Sequence, residues 1–282
     1  MPQVNIVIPT FNRLKALQRA VLSVLNQSFT DWELTIVDDG STDSTDRWVQ
    51  DSLEPELKKK LHYIKSENFG VSHARNLGIK RSSSPLTAFL DSDDQWEPSK
   101  LSQQILYLKQ NPQIKIVHTN EQWIRNNKPV VQKKEHAKSG GFIFNKCTQL
   151  CLIGPSTVVI HQDIFEEVGL FDESLTVCED YDLWLRIAKK YEIGFLKEAL
   201  TIKHGGHEDQ LSFQYKAMDY WRVKALKKHI NCPELNKESQ DLLLNTLNKK
   251  CEILLKGYQK HNNMKNYNEV QRIQLAALAG SE

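Results

Sequence analysis

The sequence predicts an α/β protein in which a mostly parallel central sheet is flanked by helices and followed by a helical C-terminal extension. Short apolar runs recur through the first half of the chain and alternate with segments of helical periodicity. Polar residues directly follow several of these runs, and the pattern beyond about residue 212 is helical. Strands that alternate with helices at this spacing build right-handed βαβ units and a parallel sheet.

The apolar runs of the first half are short and almost continuous, which is typical of strands buried on both faces of a sheet. Between the first two runs, Leu14, Leu17, Val21 and Leu25 recur at helical spacing. Residues 41–46 are dense in residue types that cap helices, so a second helix should begin there. The predicted strands cover residues 4–9, 32–37, 61–65 and 86–90, and the other predicted helices cover residues 14–26 and 71–80.

In the second half, a helix should begin at Pro98, because proline suits the first turn of a helix. Gly169 marks the end of a shorter helix. Residues 114–118 and 121–125 are predicted as two strands around short turns. The remaining predictions are helices at 98–110, 161–168 and 181–191, strands at 156–160 and 193–196, and helical segments near 213–230, 238–260 and 264–279.

The composition is that of a soluble globular protein, with 26% charged and 40% hydrophobic residues, and a net charge of +2 does not suggest a nucleic-acid partner. The charge is uneven, because residues 213–282 hold 12 Lys/Arg against 7 Asp/Glu. This basic segment fits either peripheral contact with an anionic membrane surface or a solvated helical face. No signal-peptide or transmembrane pattern is present and the five cysteines are scattered, so we expect a cytoplasmic protein, including the inner face of the membrane.

The fourth apolar run ends abruptly in acids: Asp91, Asp93 and Asp94 follow Leu90. Packing does not explain them, because like charges repel and resist burial. Hard carboxylate oxygens suit Mg²⁺ or Mn²⁺, and either cation can also hold a diphosphate. The run therefore predicts a divalent-metal site, with a solvated acidic turn as the alternative.

Two other strand ends carry polar residues that a ligand could use. The first strand ends in residues 9–13 (Pro-Thr-Phe-Asn-Arg) and the second in residues 38–41 (Asp-Asp-Gly-Ser). In a doubly wound sheet these ends meet the acidic run at one crevice, where such folds bind ligands. Asp39 can accept a hydrogen bond from a pyrimidine N–H or a ribose hydroxyl there. Gly70 allows a tight entry to the next helix, which would bring Arg75 to the crevice, where an arginine can neutralise phosphate.

A second acidic cluster, Glu179, Asp180 and Asp182, lies at the start of a helix. The helix dipole favours negative charge there, but capping explains only one of the three acids. A carboxylate in this position can act as a general base that takes the proton of an acceptor hydroxyl. The loop with His204 and His207 on either side of two glycines can close over phosphate or metal, or be a plain surface loop.

Together these residues resemble the inverting GT-A glycosyltransferases of family 2, which use nucleotide-diphosphate sugars. The resemblance covers roughly residues 3–212 and implies a GT-A (Rossmann-like) domain over 1–212. That domain has a nucleotide-binding half (1–95) and an acceptor half (96–212), and a helical extension follows over 213–282. The matching segments are residues 7–13, 37–41, 68–76, 89–94 and 179–182.

The resemblance also implies a role for each candidate residue. Asp180 would be the general base, and Glu179, Asp182 and Trp184 would orient it or bind the acceptor. Mn²⁺ or Mg²⁺ would be held by Asp91 and Asp93 of the D-x-D element, with His207 as a weaker ligand for which His204 competes. The donor nucleotide would contact Pro9, Thr10, Asn12, Arg13, Asp39, Asn68, Gly70, Arg75, Asp91 and Ser92.

These roles predict a metal-dependent inverting transfer of a hexosyl or N-acetylhexosaminyl group, with a UDP-sugar favoured as donor. The expected acceptor is a hydroxyl of a glycan or glycolipid in bacterial surface polysaccharide or lipopolysaccharide synthesis. Two other functions stay open: a catalytically silent GT-A-like scaffold and a sugar nucleotidyltransferase. A nucleotidyltransferase would need a glycine-rich phosphate loop after the first strand. Residues 9–13, which follow that strand here, contain no glycine. The oligomeric state is left open.

Overall fold

The structure is a computed structural model that describes residues 1–51, 53–126, 128–132, 136–206, 215 and 217–279. Within these residues, nine strands form one sheet. The strands are β1 (Val4–Thr10), β2 (Trp32–Asp38), β3 (Leu61–Lys65), β4 (Leu86–Phe89), β5 (Gln95–Trp96), β6 (Ile116–Arg125), β7 (Lys128–Val130), β8 (Val158–His161) and β9 (Gly194–Gly205).

Helices cover the sheet and build the C-terminal region. A 3₁₀ turn over Pro155–Thr157 precedes β8. The helices are α1 (Leu14–Leu25), α2 (Thr45–Asp51), α3 (Pro55–Lys58), α4 (Val71–Arg81), α5 (Lys100–Gln110), α6 (Phe144–Gln149), α7 (Ile164–Val168), α8 (Glu179–Ala188), α9 (Met218–Lys227), α10 (Lys237–Lys260) and α11 (Met264–Ala279).

The strands run in the order β3-β2-β1-β4-β8-β6-β9-β5, and β7 pairs with β6. The first four are mutually parallel, as predicted. The second half is mixed, because β8 runs antiparallel to both β4 and β6 while β6 and β9 are parallel. The prediction of two strands between 114 and 125 was wrong. One strand, β6, spans the region, since its pairing with β9 continues through a register shift at Thr119–Asn120.

Alternating side chains of β1 fill two hydrophobic cores, one on each face of the sheet. Ile6 and Ile8 belong to the core beneath α1 and α5, and Val7 belongs to the core beneath α4, α6 and α8. Gly78 of α4 permits a close approach to β1, because a Cβ at this position would lie 2.3 Å from Cγ1 of Val7. The two-sided burial explains why the first strands read as continuous apolar runs.

The C-terminal helices pack against the second half of the domain, around α6 and α8. Val223 of α9 and Leu247 of α10 are fully buried in the same cluster as Trp184 and Ile187 of α8. Asp219 accepts hydrogen bonds from Arg222 and from Lys250, which ties α9 to α10. The extension therefore completes a shared core. Among the residues described, no helix is long and apolar enough to cross a membrane.

Candidate functional site

The loops that follow β1 and β2 are locked together at the carboxyl edge of the sheet. Asn12 adopts a positive φ of 50°, a conformation that asparagine tolerates better than most residues. Its side-chain Oδ1 accepts a hydrogen bond from the backbone amide of Thr42 at 2.7 Å, and its backbone amide donates to Ser41 Oγ at 2.9 Å. Asn12 thus fixes the crevice wall, and its predicted contact with a nucleotide stays a prediction.

Asp39 holds the loop that leads into α4. Its carboxylate accepts hydrogen bonds from Ser66 Oγ at 3.1 Å, from the Phe69 amide at 3.0 Å and from the Gly70 amide at 2.8 Å. Gly40 has a φ of +87°, and a Cβ there would lie 3.1 Å from the Asn68 amide nitrogen, so this close approach requires glycine. A nucleotide that contacts Asp39 would share the carboxylate with these donors.

The other predicted donor-site residues line the same edge at different depths. Thr10 is buried, and its hydroxyl has no hydrogen-bond partner within the described part of the chain. Pro9 and Ser92 are also buried, whereas Asn68 is exposed. The predicted contacts of these residues with a nucleotide stay predictions.

The acidic run lies immediately after β4, beside the end of β1. The side chains of Asp91 and Asp93 are 23% and 21% exposed, whereas that of Asp94 is 2% exposed. Asp94 accepts a hydrogen bond from Ser156 Oγ at 2.6 Å and lies 3.7 Å from Lys203 Nζ. Burial raises the pKa of the Asp94 carboxyl, against the opposing effect of Lys203. Asp91 and Asp93 therefore face the crevice, and Asp94 supports them from below.

Arginines compensate the two crevice carboxylates. Arg13 Nη1 lies 3.0 Å from Asp93 Oδ2, and Arg75 Nη2 lies 2.7 Å from Asp91 Oδ1. Arg19 donates to the backbone carbonyl of Asp93 at 2.7 Å. Among the described residues no group of three or more metal-ligating side chains converges. Two partly exposed carboxylates nevertheless fit a cation such as Mg²⁺, which proteins commonly hold through one or two carboxylates together with substrate phosphates.

Arg75 joins the acidic run to the second acidic cluster. Its Nη1 lies 2.6 Å from Glu179 Oε1, and its side chain is only 4% exposed. Its guanidinium carbon lies 5.2 Å from the centre of the Phe171 ring. Burial opposes the charge, but Asp91 and Glu179 together raise the pKa of Arg75. This geometry favours a positioning role for Arg75 over the predicted direct contact with a nucleotide.

Helix α8 presents Glu179 and Asp180 in its first turn. Asp180 is half-buried, with Oδ1 accepting from the Tyr181 amide at 2.7 Å and Oδ2 3.6 Å from the Cys151 thiol. Burial raises the pKa of the Glu179 carboxyl, Arg75 opposes this, and Asp180 adds to it. Cys178 precedes the helix with a φ of 63°, an unusual backbone conformation next to the candidate base.

Two predicted acceptor-side residues need correction. Asp182 is fully buried and is paired with Arg186 Nη2 at 2.9 Å and with Lys228 Nζ at 2.7 Å. Trp184 is 1% exposed in the hydrophobic core. Successive helical residues are about 100° apart, so Asp182 points roughly 200° away from Asp180. Neither Asp182 nor Trp184 can touch an acceptor, and both instead anchor α8 within the protein.

An open cleft of about 680 Å³ adjoins Asp93. Arg13, Lys15 and Arg19 of the first loop and helix line it, together with His204 at the end of β9. His204 Nε2 also lies 2.7 Å from Gln95 Oε1. The cleft combines positive charge with a crevice carboxylate. His207, the other predicted histidine, lies outside the described residues.

Sequence reasoning missed the buried ion network under the crevice. Lys203 lies between Asp94 and Glu121, and Lys138 Nζ lies 3.1 Å from Glu121 Oε2. The side chains of Lys138 and Glu121 are 5% and 8% exposed. These residues come from β6, β9 and a connecting segment, and no local pattern relates them. Arg19 was also missed, although it lies on the predicted first helix.

The fold and the site define a class of protein: a parallel half-sheet with paired carboxylates at its carboxyl edge, and a second acidic cluster brought beside them, is the GT-A arrangement. The family model for glycosyl transferase family 2 matches residues 5–169, and the chain belongs to that family. This confirms the family suggested by the sequence motifs.

Two relatives illustrate the range of the family. The chain is 34% identical over 192 residues to the UDP-Glc:alpha-D-GlcNAc-diphosphoundecaprenol beta-1,3-glucosyltransferase WfgD of Escherichia coli, covering 67% of this chain and 71% of the relative. It is 32% identical over 199 residues to an uncharacterized glycosyltransferase of Rickettsia bellii, covering 71% of this chain. The chain spans only 28% of the length of that Rickettsia relative.

Two solved structures share the fold. TarS 1-349 of S. aureus, in complex with UDP-GlcNAc, superposes with a TM-score of 0.64 at 17% identity, over 96% of this chain and 90% of that chain. The mannosyltransferase PcManGT of Pyrobaculum calidifontis, in complex with GDP-Man and Mn²⁺, gives a TM-score of 0.62 at 16% identity, over 99% of this chain and 86% of that chain. The predicted GT-A fold with a helical C-terminal region is confirmed.

Proposed function

We propose that this chain transfers a sugar from a nucleotide-diphosphate donor to a hydroxyl of a glycan or lipid-linked acceptor, with inversion at the anomeric carbon. The observation that carries the proposal is the joining of two acidic clusters by one buried side chain, because Arg75 contacts both Asp91 and Glu179. A site with an electrostatic clamp for the leaving group and a base beside it can activate both partners of a displacement.

The donor half supplies the binding surface. The nucleoside would lie over the loops held by Asn12 and Asp39, and the diphosphate would extend towards Asp91 and Asp93. These two carboxylates would hold Mn²⁺ or Mg²⁺, which when bound neutralises charge on the departing diphosphate. Lys15 and Arg13 in the adjoining cleft add positive charge on the same side. Mn²⁺ and a nucleotide sugar in the PcManGT complex support this assignment by analogy of fold.

The second acidic cluster supplies the base. Asp180 accepts the proton of the acceptor hydroxyl while that oxygen forms a bond to the anomeric carbon. The bond from that carbon to the phosphate oxygen breaks on the opposite face, and the nucleotide diphosphate leaves with the electron pair. A single displacement of this kind inverts the anomeric configuration. Arg75 holds Glu179 in place, which fixes the start of α8 and hence the position of Asp180.

A lipid-linked acceptor and a UDP-sugar donor are the most specific parts of the proposal. WfgD uses a UDP-sugar and a diphosphoundecaprenol-linked acceptor by its name, and it is 34% identical to this chain over 192 residues. The excess of Lys and Arg in residues 213–282 would attract an anionic membrane surface, where such acceptors lie. We therefore propose peripheral contact with the inner face of a bacterial membrane, in surface polysaccharide or lipopolysaccharide synthesis.

A thermal-shift screen followed by a transfer assay tests the proposal. Nucleotide diphosphates and nucleotide sugars are compared with and without Mn²⁺. A ligand at 100 times its dissociation constant should stabilise the protein by about 2.7 kcal/mol. The stabilising sugar nucleotide is then incubated with bacterial lipid-linked glycans, and products are detected by mass spectrometry. Mn²⁺-dependent stabilisation with transfer supports the proposal. Stabilisation with neither sugar transfer nor donor hydrolysis would favour the silent scaffold. Synthesis of a nucleotide sugar would favour the nucleotidyltransferase.

A further inference from the structure

Helix α9, the first helix of the C-terminal extension, contacts the start of α8 close to the proposed base. The Cys178 thiol, two residues before Asp180, lies 3.8 Å from the backbone carbonyl of Met218 in α9. Arg222 follows Met218 by four residues, so the two lie on one face of the helix, one turn apart. This face of α9 is therefore the one turned towards the first turn of α8.

The charges of Arg222 and Asp180 both act on the Cys178 thiol. Burial raises the pKa of this thiol to about 12, Asp180 adds to the rise, and Arg222 opposes it. Burial also raises the pKa of the Tyr181 hydroxyl, and Arg222 again opposes the shift. Because a charge perturbs a pKa mainly at short range, Arg222 lies near the residues on either side of Asp180.

The guanidinium of Arg222 has more hydrogen-bond donors than its contacts use. Its side chain is 26% exposed, and its Nη1 donates to Asp219 Oδ1 at 2.9 Å. Lys250 Nζ lies 2.8 Å from the same oxygen, so one carboxylate serves two cations. Within the described part of the chain, Nε of Arg222 has no hydrogen-bond partner. A guanidinium carries five N–H donors in a fixed fork that matches phosphate, so Arg222 can bind an anionic group while it keeps Asp219.

We propose that Arg222 binds the diphosphate of a lipid-linked acceptor and so selects diphosphate-linked acceptors over neutral ones. This inference rests on the proposed function, in which Asp180 takes the proton of the acceptor hydroxyl. When the lipid carries a single sugar, its diphosphate is attached to the same ring as that hydroxyl, so a cation near Asp180 can reach it. The positive charge also offsets the repulsion between the phosphate and the carboxylate of Asp180.

The two diphosphates of the reaction would then be bound by different groups. The donor diphosphate would be held through the metal at Asp91 and Asp93, whereas the acceptor diphosphate would be held by Arg222 directly. Binding of the acceptor diphosphate should therefore not require Mn²⁺. This difference allows the acceptor contact to be measured apart from the donor site.

Calorimetric titration of the full chain with farnesyl diphosphate, in the presence of EDTA, tests the inference. Arg222→Gln removes the cation and leaves Asp219 paired with Lys250, so farnesyl diphosphate should bind at least about 10-fold more weakly than to the wild type. Arg222→Lys keeps the charge but loses the fork, so its affinity should fall between the two. Lys227→Gln removes an exposed cation from the end of the same helix and should stay within about 2-fold of the wild type.

Two further probes identify which part of the ligand Arg222 recognises. Farnesol lacks the diphosphate, so Arg222→Gln should change its binding by less than about 2-fold. Inorganic pyrophosphate lacks the lipid and should bind the wild type more weakly than farnesyl diphosphate does. Equal affinities for these two diphosphates, both reduced in Arg222→Gln, would indicate a site for free phosphate and would overturn the acceptor assignment.

The outcomes separate this inference from the function on which it rests. Equal binding of farnesyl diphosphate to the wild type and Arg222→Gln, in proteins that still bind UDP with Mn²⁺, would overturn the role of Arg222 alone. A wild type that neither binds UDP with Mn²⁺ nor transfers a sugar would overturn the proposed function and this inference together. Circular dichroism checks the fold, and Arg222→Met, which keeps much of the aliphatic stem, replaces Arg222→Gln if that variant does not fold.

Discussion

Arg75 and Glu179 form a buried ion pair of 2.6 Å across 104 positions of the chain. Since Arg75 also contacts Asp91, one guanidinium holds the D-x-D run and the start of α8 in a fixed relation. The two halves of the site are thus connected by a side chain rather than by backbone. This contact makes several consequences of the proposed mechanism measurable.

Arg75→Lys should impair both the fold and the reaction. A lysine ammonium cannot reproduce the fork that bonds two carboxylates at once, so one of the two acids loses its partner. We expect at least a 10-fold fall in kcat at saturating donor, because Asp180 shifts with α8, and a loss of stability of about 1–3 kcal/mol from the unpaired buried acid. Steady-state kinetics and urea unfolding measure the two effects. Arg81→Lys, on the exposed end of the same helix, is the matched control, and a normal kcat in Arg75→Lys would remove its positioning role.

Asp180→Asn should abolish transfer and leave donor binding intact. The amide keeps the size of the side chain but cannot take the acceptor proton, and a positioned general base typically contributes 10²–10⁴-fold. Transfer is followed by product mass spectrometry, and binding of UDP by calorimetry. Near-normal turnover in this variant would show that another group is the base.

Asp182→Asn should show the reverse profile. Its fully buried carboxylate pairs with Arg186 and with the exposed Lys228, so neutralising it weakens both ion pairs at their buried end. Losing hydrogen bonds between charged groups in this way should cost about 1.5–3 kcal/mol, which urea unfolding would detect. The fraction that remains folded should transfer sugar at a rate near that of the wild type. A large fall in kcat without loss of stability would restore Asp182 to the acceptor site.

Asp93→Ala should lose the metal-dependent part of donor binding. Calorimetric titration of UDP with and without Mn²⁺ gives the ratio of the two affinities, which should fall towards one in the variant. Asp46→Ala, at a carboxylate that pairs with Lys65 on the surface, should keep the wild-type ratio. An unchanged dependence on Mn²⁺ in Asp93→Ala would mean that the metal contacts lie elsewhere.

The stability of the protein should fall in mild acid because of His118. Burial lowers the pKa of this imidazole to about 3, and its Nε2 lies 3.0 Å from the Ser139 carbonyl. In the unfolded chain this histidine has an ordinary pKa of about 6.5, so it binds a proton there at a pH at which it stays neutral in the folded protein. The contribution of neutral His118 to the free energy of unfolding is therefore fully present above about pH 6.5 and is lost as the pH falls towards 3.

This histidine should account for about 2 kcal/mol between pH 7 and pH 5. His118→Gln keeps a donor for Ser139 and cannot titrate, so urea unfolding at pH 7 and pH 5 should show a correspondingly smaller loss in the variant. His229, whose pKa burial lowers to about 4, should leave a residual dependence in both proteins. Identical pH dependence in the two proteins would contradict the buried neutral state of His118.

The first half of the fold was predictable because its information is local. Continuous apolar runs, caps and a glycine at Gly70 define β1 to β4 and α4 within one or two residues. The second half was not, since the antiparallel course of β8 depends on its pairing with β4 and β6. The unbroken course of β6 depends on its pairing with β9, more than 70 residues further along the chain. Sequence spacing carries no record of such pairings.

The candidate site likewise combines residues that local sequence signals indicate with contacts that only the tertiary structure reveals. Asp91, Asp93 and Asp180 were identifiable because acids at strand and helix ends have no packing reason to cluster. The pairing of Arg75 with Glu179 was beyond reach, as it depends on tertiary contact. The burial of Asp182 was within reach, because helical geometry already turns it away from Asp180. The buried set of Lys203, Glu121 and Lys138 has no sequence signal at all.

The start of α8 contacts the C-terminal helices: the Cys178 thiol lies 3.8 Å from the backbone carbonyl of Met218 in the first turn of α9. Substitutions far from the crevice, in the interface between α9 and α10, can therefore move Asp180, the proposed base, without touching substrate. Sequence variation in the interface between α9 and α10 would therefore change the turnover rate. Laboratory evolution for a new acceptor should then accumulate changes there as well as in the crevice itself.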